Sequence, residues 1–276
     1  MSALRDTTIG FIGTGTMAEA MIKGILTRGL ITPDKITGSG PRVERGQEVS
    51  ERYGIATTTD NATAAEAGII VVLSVKPQVL PKVLTEVKGH IRPDALVLSI
   101  VAGAKIGTIG GKLDHHNIVR VMPNTPAQIG EGMSVWTATA ETSERQREQA
   151  RAILGALGEE LFVGDEDYLD MATALSGTGP AYVFLFMEAL IDAGVHLGFS
   201  RRIAQKLVLK TVGGSVGFAR ESKLHPAQLR DMVTSPGGTS AEAIYQLEKG
   251  GLRTVLSRAV WAAYQKSKYL GGLSNE

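Results

Sequence analysis

Two hydrophobic patterns divide this chain. In the first, short apolar runs alternate with longer stretches of helical period. Thr8-Ile9-Gly10-Phe11-Ile12 predicts a strand, followed by a helix from Met17 to Thr27. Lys35-Ile36-Thr37 predicts a second strand and Val43 to Tyr53 a second helix. Ile69 to Leu73, Leu96 to Ile100 and Ile118 to Met122 are continuous β-branched or leucine runs. Runs of this kind mark strands buried on both faces of a parallel sheet. A polar helix from Ser143 to Leu157 and a strand at Glu160-Leu161-Phe162-Val163 close the region. Strand–helix alternation predicts an α/β domain with a doubly wound, Rossmann-like sheet.

From Asp165 onward the pattern becomes nearly continuous helix. Candidate helices are Asp167–Ala174, Pro180–Leu197, Arg201–Arg220, Pro226–Val233, Ser240–Lys249 and Arg253–Tyr269. Pro180 and Pro226 suit first-turn positions and Ser200 an N-cap, while Gly250-Gly251 and Gly271-Gly272 are expected to stop the last two helices. The expected domains are therefore residues 1–164, Rossmann-like, and 165–276, all helical. Tyr182 to Met187 is apolar without interruption. A helix apolar all round must be covered on all sides, and a domain of about 110 residues has difficulty doing that alone. This favours a partner subunit; a central helix wrapped by its own neighbours is the alternative.

Composition narrows the function classes. Hydrophobic residues make up 43% of the 276 positions and charged residues 21%, ample for packed cores. The net charge of +1 leaves no electrostatic footprint for nucleic acid. Cysteine is absent, which removes thiol catalysis and thiolate metal sites and fits a reducing cytoplasm. The histidines (His90, His115, His116, His196 and His225) contain no pair at metal-binding helical spacing, so no metal is expected. Met1 to Asp6 does not read as a signal peptide. Tyr182 to Leu197, interrupted by Glu188 and Asp192, reads as too short to span a bilayer.

Gly13-Thr14-Gly15-Thr16-Met17-Ala18 is a G-x-G-x-x-A element between a strand and a helix. Gly13 permits the turn, Gly15 lets a pyrophosphate approach the backbone, and Ala18 allows close helix–strand packing. The second strand ends in Gly38-Ser39-Gly40-Pro41-Arg42, without the acid that binds the ribose hydroxyls of NAD. Ser39 and Arg42 suit a 2′-phosphate instead, so NADP(H) is expected over NAD(H). Three further loops follow strand ends, where ligands bind in open α/β sheets: Ser74-Val75-Lys76-Pro77, Ile100-Val101-Ala102-Gly103 and Met122-Pro123-Asn124-Thr125-Pro126.

Two glycine-rich turns stand in the helical half. Ser176-Gly177-Thr178-Gly179-Pro180-Ala181-Tyr182 enters a helix at Pro180. Thr234-Ser235-Pro236-Gly237-Gly238-Thr239-Ser240 enters another, with Thr239 and Glu242 at capping-box spacing. The bare amides of a helix start form a ready anion site.

These words, in this order from Ile9 to Leu270, resemble the Δ1-pyrroline-5-carboxylate reductase family. The resemblance implies NADPH-dependent reduction of a cyclic imine to proline, the last step of proline biosynthesis. It implies that the amides of Gly238, Thr239 and Ser240 hold the substrate carboxylate, and that the Ser176 turn lines the same site. It places Asn61 on the cofactor 2′-phosphate and the three strand-end loops at the nicotinamide end. Ser240 stands where the family usually has threonine, whose hydroxyl is its candidate partner for the ring nitrogen. The resemblance also implies a homodimer interlocked through its C-terminal helices, within a larger oligomer. β-Hydroxyacid dehydrogenases have a similar layout but carry a lysine soon after the glycine-rich turn; here none occurs until Lys206. A reductase of another imine or of a cofactor, and a non-catalytic NADP-binding sensor, are the other readings.

Overall fold

The computed structural model describes residues 3–273. The chain forms two compact units, one of residues 1–178 with 263–276 and one of residues 179–262. The first begins β1 (Ile9–Ile12), α1 (Thr16–Thr27), β2 (Ile36–Ser39), α2 (Val43–Tyr53), β3 (Ala56–Thr58) and α3 (Asn61–Ala67). It continues through β4 (Ile70–Leu73), α4 (Leu80–Val87), β5 (Leu96–Ser99), α5 (Ile106–Leu113) and β6 (Ile118–Met122). β7 (Gly132–Ala138), α6 (Glu144–Gly155), β8 (Gly158–Phe162) and α7 (Tyr168–Ala172) complete its main run.

The strands form one sheet in the order β3-β2-β1-β4-β5-β6-β7-β8. β1 to β6 run parallel, β7 is antiparallel to β6, and β8 pairs parallel with β7. The chain direction reverses on either side of β1 and β4, which makes that junction the switch point where ligands enter a doubly wound sheet. The apolar runs feed two cores. Ile9, Phe11, Ile70, Val72, Leu96 and Leu98 face one, with Met21, Ile25 and Trp136. Ile12, Val71, Leu73 and Val97 face the other, with Leu80, Leu84 and Ile109. A central strand with both faces covered has no polar side to show, and this is why the sequence shows no alternation there. β7 was not visible in that pattern; its Gly-Met-Ser-Val-Trp-Thr-Ala run mixes small polar and bulky residues.

Composition changes at 165, but compactness divides the chain at 178/179. Residues 165–178 pack with the sheet because a buried cation on β6 holds them. Arg120, 3% exposed, donates to Glu166 at 2.7 Å and lies 3.8 Å from Asp170. Asp170 accepts a further bond, at 2.6 Å, from Ser267 near the C-terminus. Glu166 also accepts from the first amide of α5. One guanidinium thus ties the sheet to both chain segments that lead into the helical half.

The second unit contains α8 (Gly179–His196), α9 (Arg201–Ser222), α10 (Pro226–Met232), α11 (Thr239–Lys249) and the start of α12 (Leu252–Leu273). Ser200 caps α9 by accepting from the Ile203 amide, and Pro226 opens α10. Gly250 ends α11, but α12 runs through Gly271 rather than stopping there. A Cβ on Gly271 would lie 3.1 Å from the Gly103 carbonyl oxygen, so the glycine permits close backbone packing within the first unit instead of a helix stop. Among the described residues 179–262, Ala204 alone is buried. Phe184 and Leu185 of α8 are 61% and 67% exposed.

Helix continues from α7 through a π turn at Thr173–Gly177 into α8, making 29 residues from Tyr168 to His196. By length and composition this helix is sufficient to cross a membrane, which corrects the expectation that its apolar run is too short. The expectation counted from Tyr182 and missed the turns before it. Leu169, Asp170 and Ala174 of this helix are buried.

Arg120→Ala would leave Asp170 buried without its cation. Breaking a buried pair from one side costs about 3–5 kcal/mol, so urea unfolding should show that loss relative to the unmodified chain. A change below about 1 kcal/mol would mean that Ser267 alone satisfies Asp170.

Candidate active site

β1 ends against a turn that only glycine can make. Gly13 has φ +100°, and a Cβ there would lie 2.7 Å from the Ser74 carbonyl oxygen. The Ser74 hydroxyl braces the same turn, donating to the Gly13 carbonyl at 2.7 Å with the Ile12 carbonyl 3.1 Å away. Gly15 is the N-cap of α1 and offers no side-chain cap. The first amides of α1 therefore point outward with the positive end of the helix dipole, an anion site built from backbone alone.

The turn shapes the second strand as well. Thr14 is 6% exposed, with its side chain against β2. A Cβ on Gly38 would lie 2.7 Å from Thr14 Cγ2, and one on Gly40 would lie 3.0 Å from Thr14 Oγ1. The Gly-Ser-Gly ending is thus the socket for the threonine of the G-x-G turn.

A cleft of about 670 Å³ opens over these elements. Gly13, Thr14, Gly15 and Thr16 form its floor, Pro41, Arg42, Arg45 and Glu48 one wall, and Val75, Lys76 and Val79 the other. Lys76 is extended (φ −67°, ψ 145°), as expected before Pro77. Val79 is 46% exposed, an apolar surface suited to a purine face. An uncapped helix start, a glycine turn and a basic wall are the donor set for a dinucleotide with an extra phosphate, and the residues present fit NADP(H).

Several expected cofactor residues do not line this cleft. Ser39 is fully buried; its hydroxyl donates to Asn61 Oδ1 at 2.7 Å and lies 3.3 Å from the Phe11 carbonyl. Asn61 Nδ2 donates to Glu86 at 2.7 Å. Met17 packs on the core. Val101 is 2% exposed, and its amide lies 3.3 Å from Ser99 Oγ. Ile100, Ala102 and Pro77 are half-buried.

Arg45 and Glu19 were missed from the sequence. Glu19, in the first turn of α1, accepts from Arg45, Arg52 and Tyr53. Burial raises its carboxyl pKa, but these three donors together hold it below the usual carboxylate range. Arg45 also donates through Nε to the Thr14 carbonyl at 3.3 Å and through Nη1 to Glu48 at 3.2 Å. Capping positions in helices can be read from spacing; an ion cluster joining two helices cannot.

In the first unit, Ser176 sits on the π turn, its hydroxyl 3.3 Å from Asn124 Nδ2. Asn124 Oδ1 accepts the Met133 amide at 2.9 Å, so the loop after β6 and the π turn are fixed together. In the second unit, Gly237 has φ +70° and Gly238, not Thr239, is the N-cap of α11. The capping box expected between Thr239 and Glu242 does not form: Glu242 accepts from Gln246 instead. With no side-chain cap, the amides that open α11 at Thr239 and Ser240 are left to a ligand or to water.

A family model described as pyrroline-5-carboxylate reductase dimerisation matches residues 166–270. A second, described as NADP oxidoreductase coenzyme F420-dependent, matches residues 8–103. A pyrroline-5-carboxylate reductase from Synechocystis is 42% identical over 264 residues, covering 95% of this chain and 98% of that protein. The chain belongs to the pyrroline-5-carboxylate reductase family. Two solved members of that family are similar over nearly their whole length. The Plasmodium falciparum reductase, a structure with NADP bound, is 34% identical with a TM-score of 0.89, covering 97% of this chain and 99% of its own. The Coxiella burnetii reductase is 36% identical with a TM-score of 0.88, covering 96% and 98%.

Gly38→Ala should weaken both folding and cofactor affinity, because the new methyl meets Thr14 Cγ2. Overpacking of this kind costs about 1–3 kcal/mol. Thr14→Ser removes that methyl, so the double variant should regain most of the loss. Additive losses in thermal denaturation would show that the two positions are not coupled.

Proposed function

We infer that this chain reduces 1-pyrroline-5-carboxylate to L-proline with NADPH, as the last step of proline biosynthesis. The observation that carries this reading is 42% identity to a reductase of that name across nearly the whole of both chains. The fold and the two uncapped helix starts, at α1 and α11, supply the chemistry it needs.

When bound, NADPH supplies the hydride for the C=N carbon. The chain's own task is positioning and exclusion of water, since a protonated imine is already electrophilic. On this reading the α1 amides hold the pyrophosphate, with Val75 and Lys76 along the cofactor. The backbone from Ile100 to Ala102 serves the nicotinamide end. The amides of Thr239 and Ser240 hold the substrate carboxylate, the expected Gly238 amide donating instead to the Ser235 carbonyl at 3.0 Å, and Ser176 lines the substrate site. The Ser240 hydroxyl partners the ring nitrogen, which carries its proton before the hydride arrives and keeps it in the amine. NADPH is preferred over NADH because β2 ends without an acid. The enzyme works in the cytoplasm, where a chain without cysteine loses nothing to reduction.

The helical half acts as a dimer and builds a larger oligomer. Residues 179–262 bury almost nothing of themselves, and a second copy covers their apolar faces. The same covering accounts for the long apolar helix of residues 168–196 without a membrane.

Purified protein should oxidise NADPH when supplied with 1-pyrroline-5-carboxylate, and should yield proline. Ser240→Ala should slow turnover about ten- to a hundredfold, from the loss of one hydrogen bond of about 1.5–3 kcal/mol, with NADPH affinity nearly unchanged. Unchanged kinetics would reduce Ser240 to a helix-start residue. No turnover of this imine by the unmodified protein would leave the sensor or another reductase. Light scattering should find no active monomer at assay concentration; an active monomer would overturn the dimer.

A further inference from the structure

We propose that Arg45 is the residue that reads the 2′-phosphate of the cofactor, and that Glu19 is the positioning residue that holds it there. The inference deepens the NADPH preference proposed above and rests on it. Of the donors expected for that phosphate, Ser39 and Asn61 are held in a hydrogen-bond chain off the cleft lining, and Arg42 lines the cleft. Ser39 is fully buried and bonded to Asn61, and the Asn61 amide is bonded to Glu86. Neither lies on the cleft wall, where the cations are Arg42, Arg45 and Lys76.

Arg45 differs from the other two in being fixed. Its side chain is 23% exposed, and its guanidinium is held at each nitrogen: Nε by the Thr14 carbonyl, one terminal nitrogen by Glu48 and the other by Glu19. The outer N–H of each terminal nitrogen remains for a ligand. The Thr14 bond anchors this fork to the glycine turn, beside the Gly-Ser-Gly end of β2 where the adenosine ribose of a dinucleotide belongs. Arg42 is exposed at the N-cap of α2 and adds charge without a fixed direction.

A phosphate takes charge-assisted, bidentate bonds from such a fork, whereas a ribose hydroxyl gains little from it. Glu19 keeps the fork aimed. It is itself fixed through its other oxygen by Arg52 and Tyr53, so Arg45 cannot swing into solvent without leaving that carboxylate. Glu48 and Glu19 both repel a phosphate, and the bonds they spend on arginines offset that repulsion.

The test is the dissociation constant of NADPH and of NADH, measured by fluorescence on the purified full-length oligomer, for the unmodified chain, Arg45→Gln, Arg45→Lys and Glu19→Gln. Arg45→Gln should weaken NADPH binding tenfold or more while NADH changes less than twofold. Arg45→Lys should recover only part of the loss, because a point charge replaces the fork. Glu19→Gln should give a smaller loss, again confined to NADPH. Equal loss of both cofactors in Arg45→Gln would make Arg45 a brace for the glycine turn and overturn the inference. No change in either would make it a surface ion pair and also overturn it. Should Arg45→Gln fold poorly, the ratio of the two constants in Arg45→Lys and Glu19→Gln decides the matter. Equal constants in the unmodified chain would instead overturn the NADPH preference itself, before any variant is read.

Discussion

The contact on which the cofactor end depends is the near-collision of Gly13 with the Ser74 carbonyl, where a Cβ would stand 2.7 Å from oxygen. It lets the chain leave β1 and enter α1 directly, without a longer loop. Everything near the cleft follows from that economy. α1 begins uncapped at Gly15, Thr14 is driven inward, and β2 must end in small residues to receive it. The loop after β4 supplies the carbonyl that Gly13 meets and the hydroxyl that braces the turn. The bare amides at the start of α1 are a product of backbone packing, and the side chains of the cleft wall lie beside them.

The charges on the cleft wall are set between helices. Glu19 on α1 gathers two arginines and a tyrosine from α2. A carboxylate in the first turn of α1 opposes anion binding in isolation, yet here it is spent on orienting cations. The Ser39–Asn61–Glu86 chain forms a separate network that runs from the buried end of β2 to the surface at Glu86. It fixes the end of β2 relative to α3 and α4 and so shapes the wall without forming its surface.

The helical half obeys a different constraint. Its helices expose large apolar side chains because α8 is apolar over all but the face of Glu188 and Asp192 and the chain has too few helices to surround it. The chain segments on either side of that half are held to the sheet, within the first unit, by polar contacts. Arg120, buried on β6, binds Glu166 and Asp170 at the start of the helical half, and Asp170 binds Ser267 near its end.

By itself the sequence determined the α/β half, the glycine turn, the switch to helices at 165 and the two glycine-rich loops. Each is a local or periodic signal: a run of buried strand residues, a φ that only glycine adopts easily, a change in hydrophobic period. Tertiary structure alone decided which polar side chains reach the cleft. Ser39 carries the right hydroxyl in the right sequence position, but the pleat of β2 turns it into the sheet, since neighbouring strand residues face opposite sides. Arg45 reads as an ordinary helix-surface residue until α1 brings Glu19 beside it. Gly238 displaced Thr239 as the cap of α11 because the positive φ of Gly237 sets the entry angle, one residue earlier than side-chain preference implies. The compact boundary moved to 178 for the same kind of reason: a single arginine on β6, distant in sequence, holds what composition assigns to the other half.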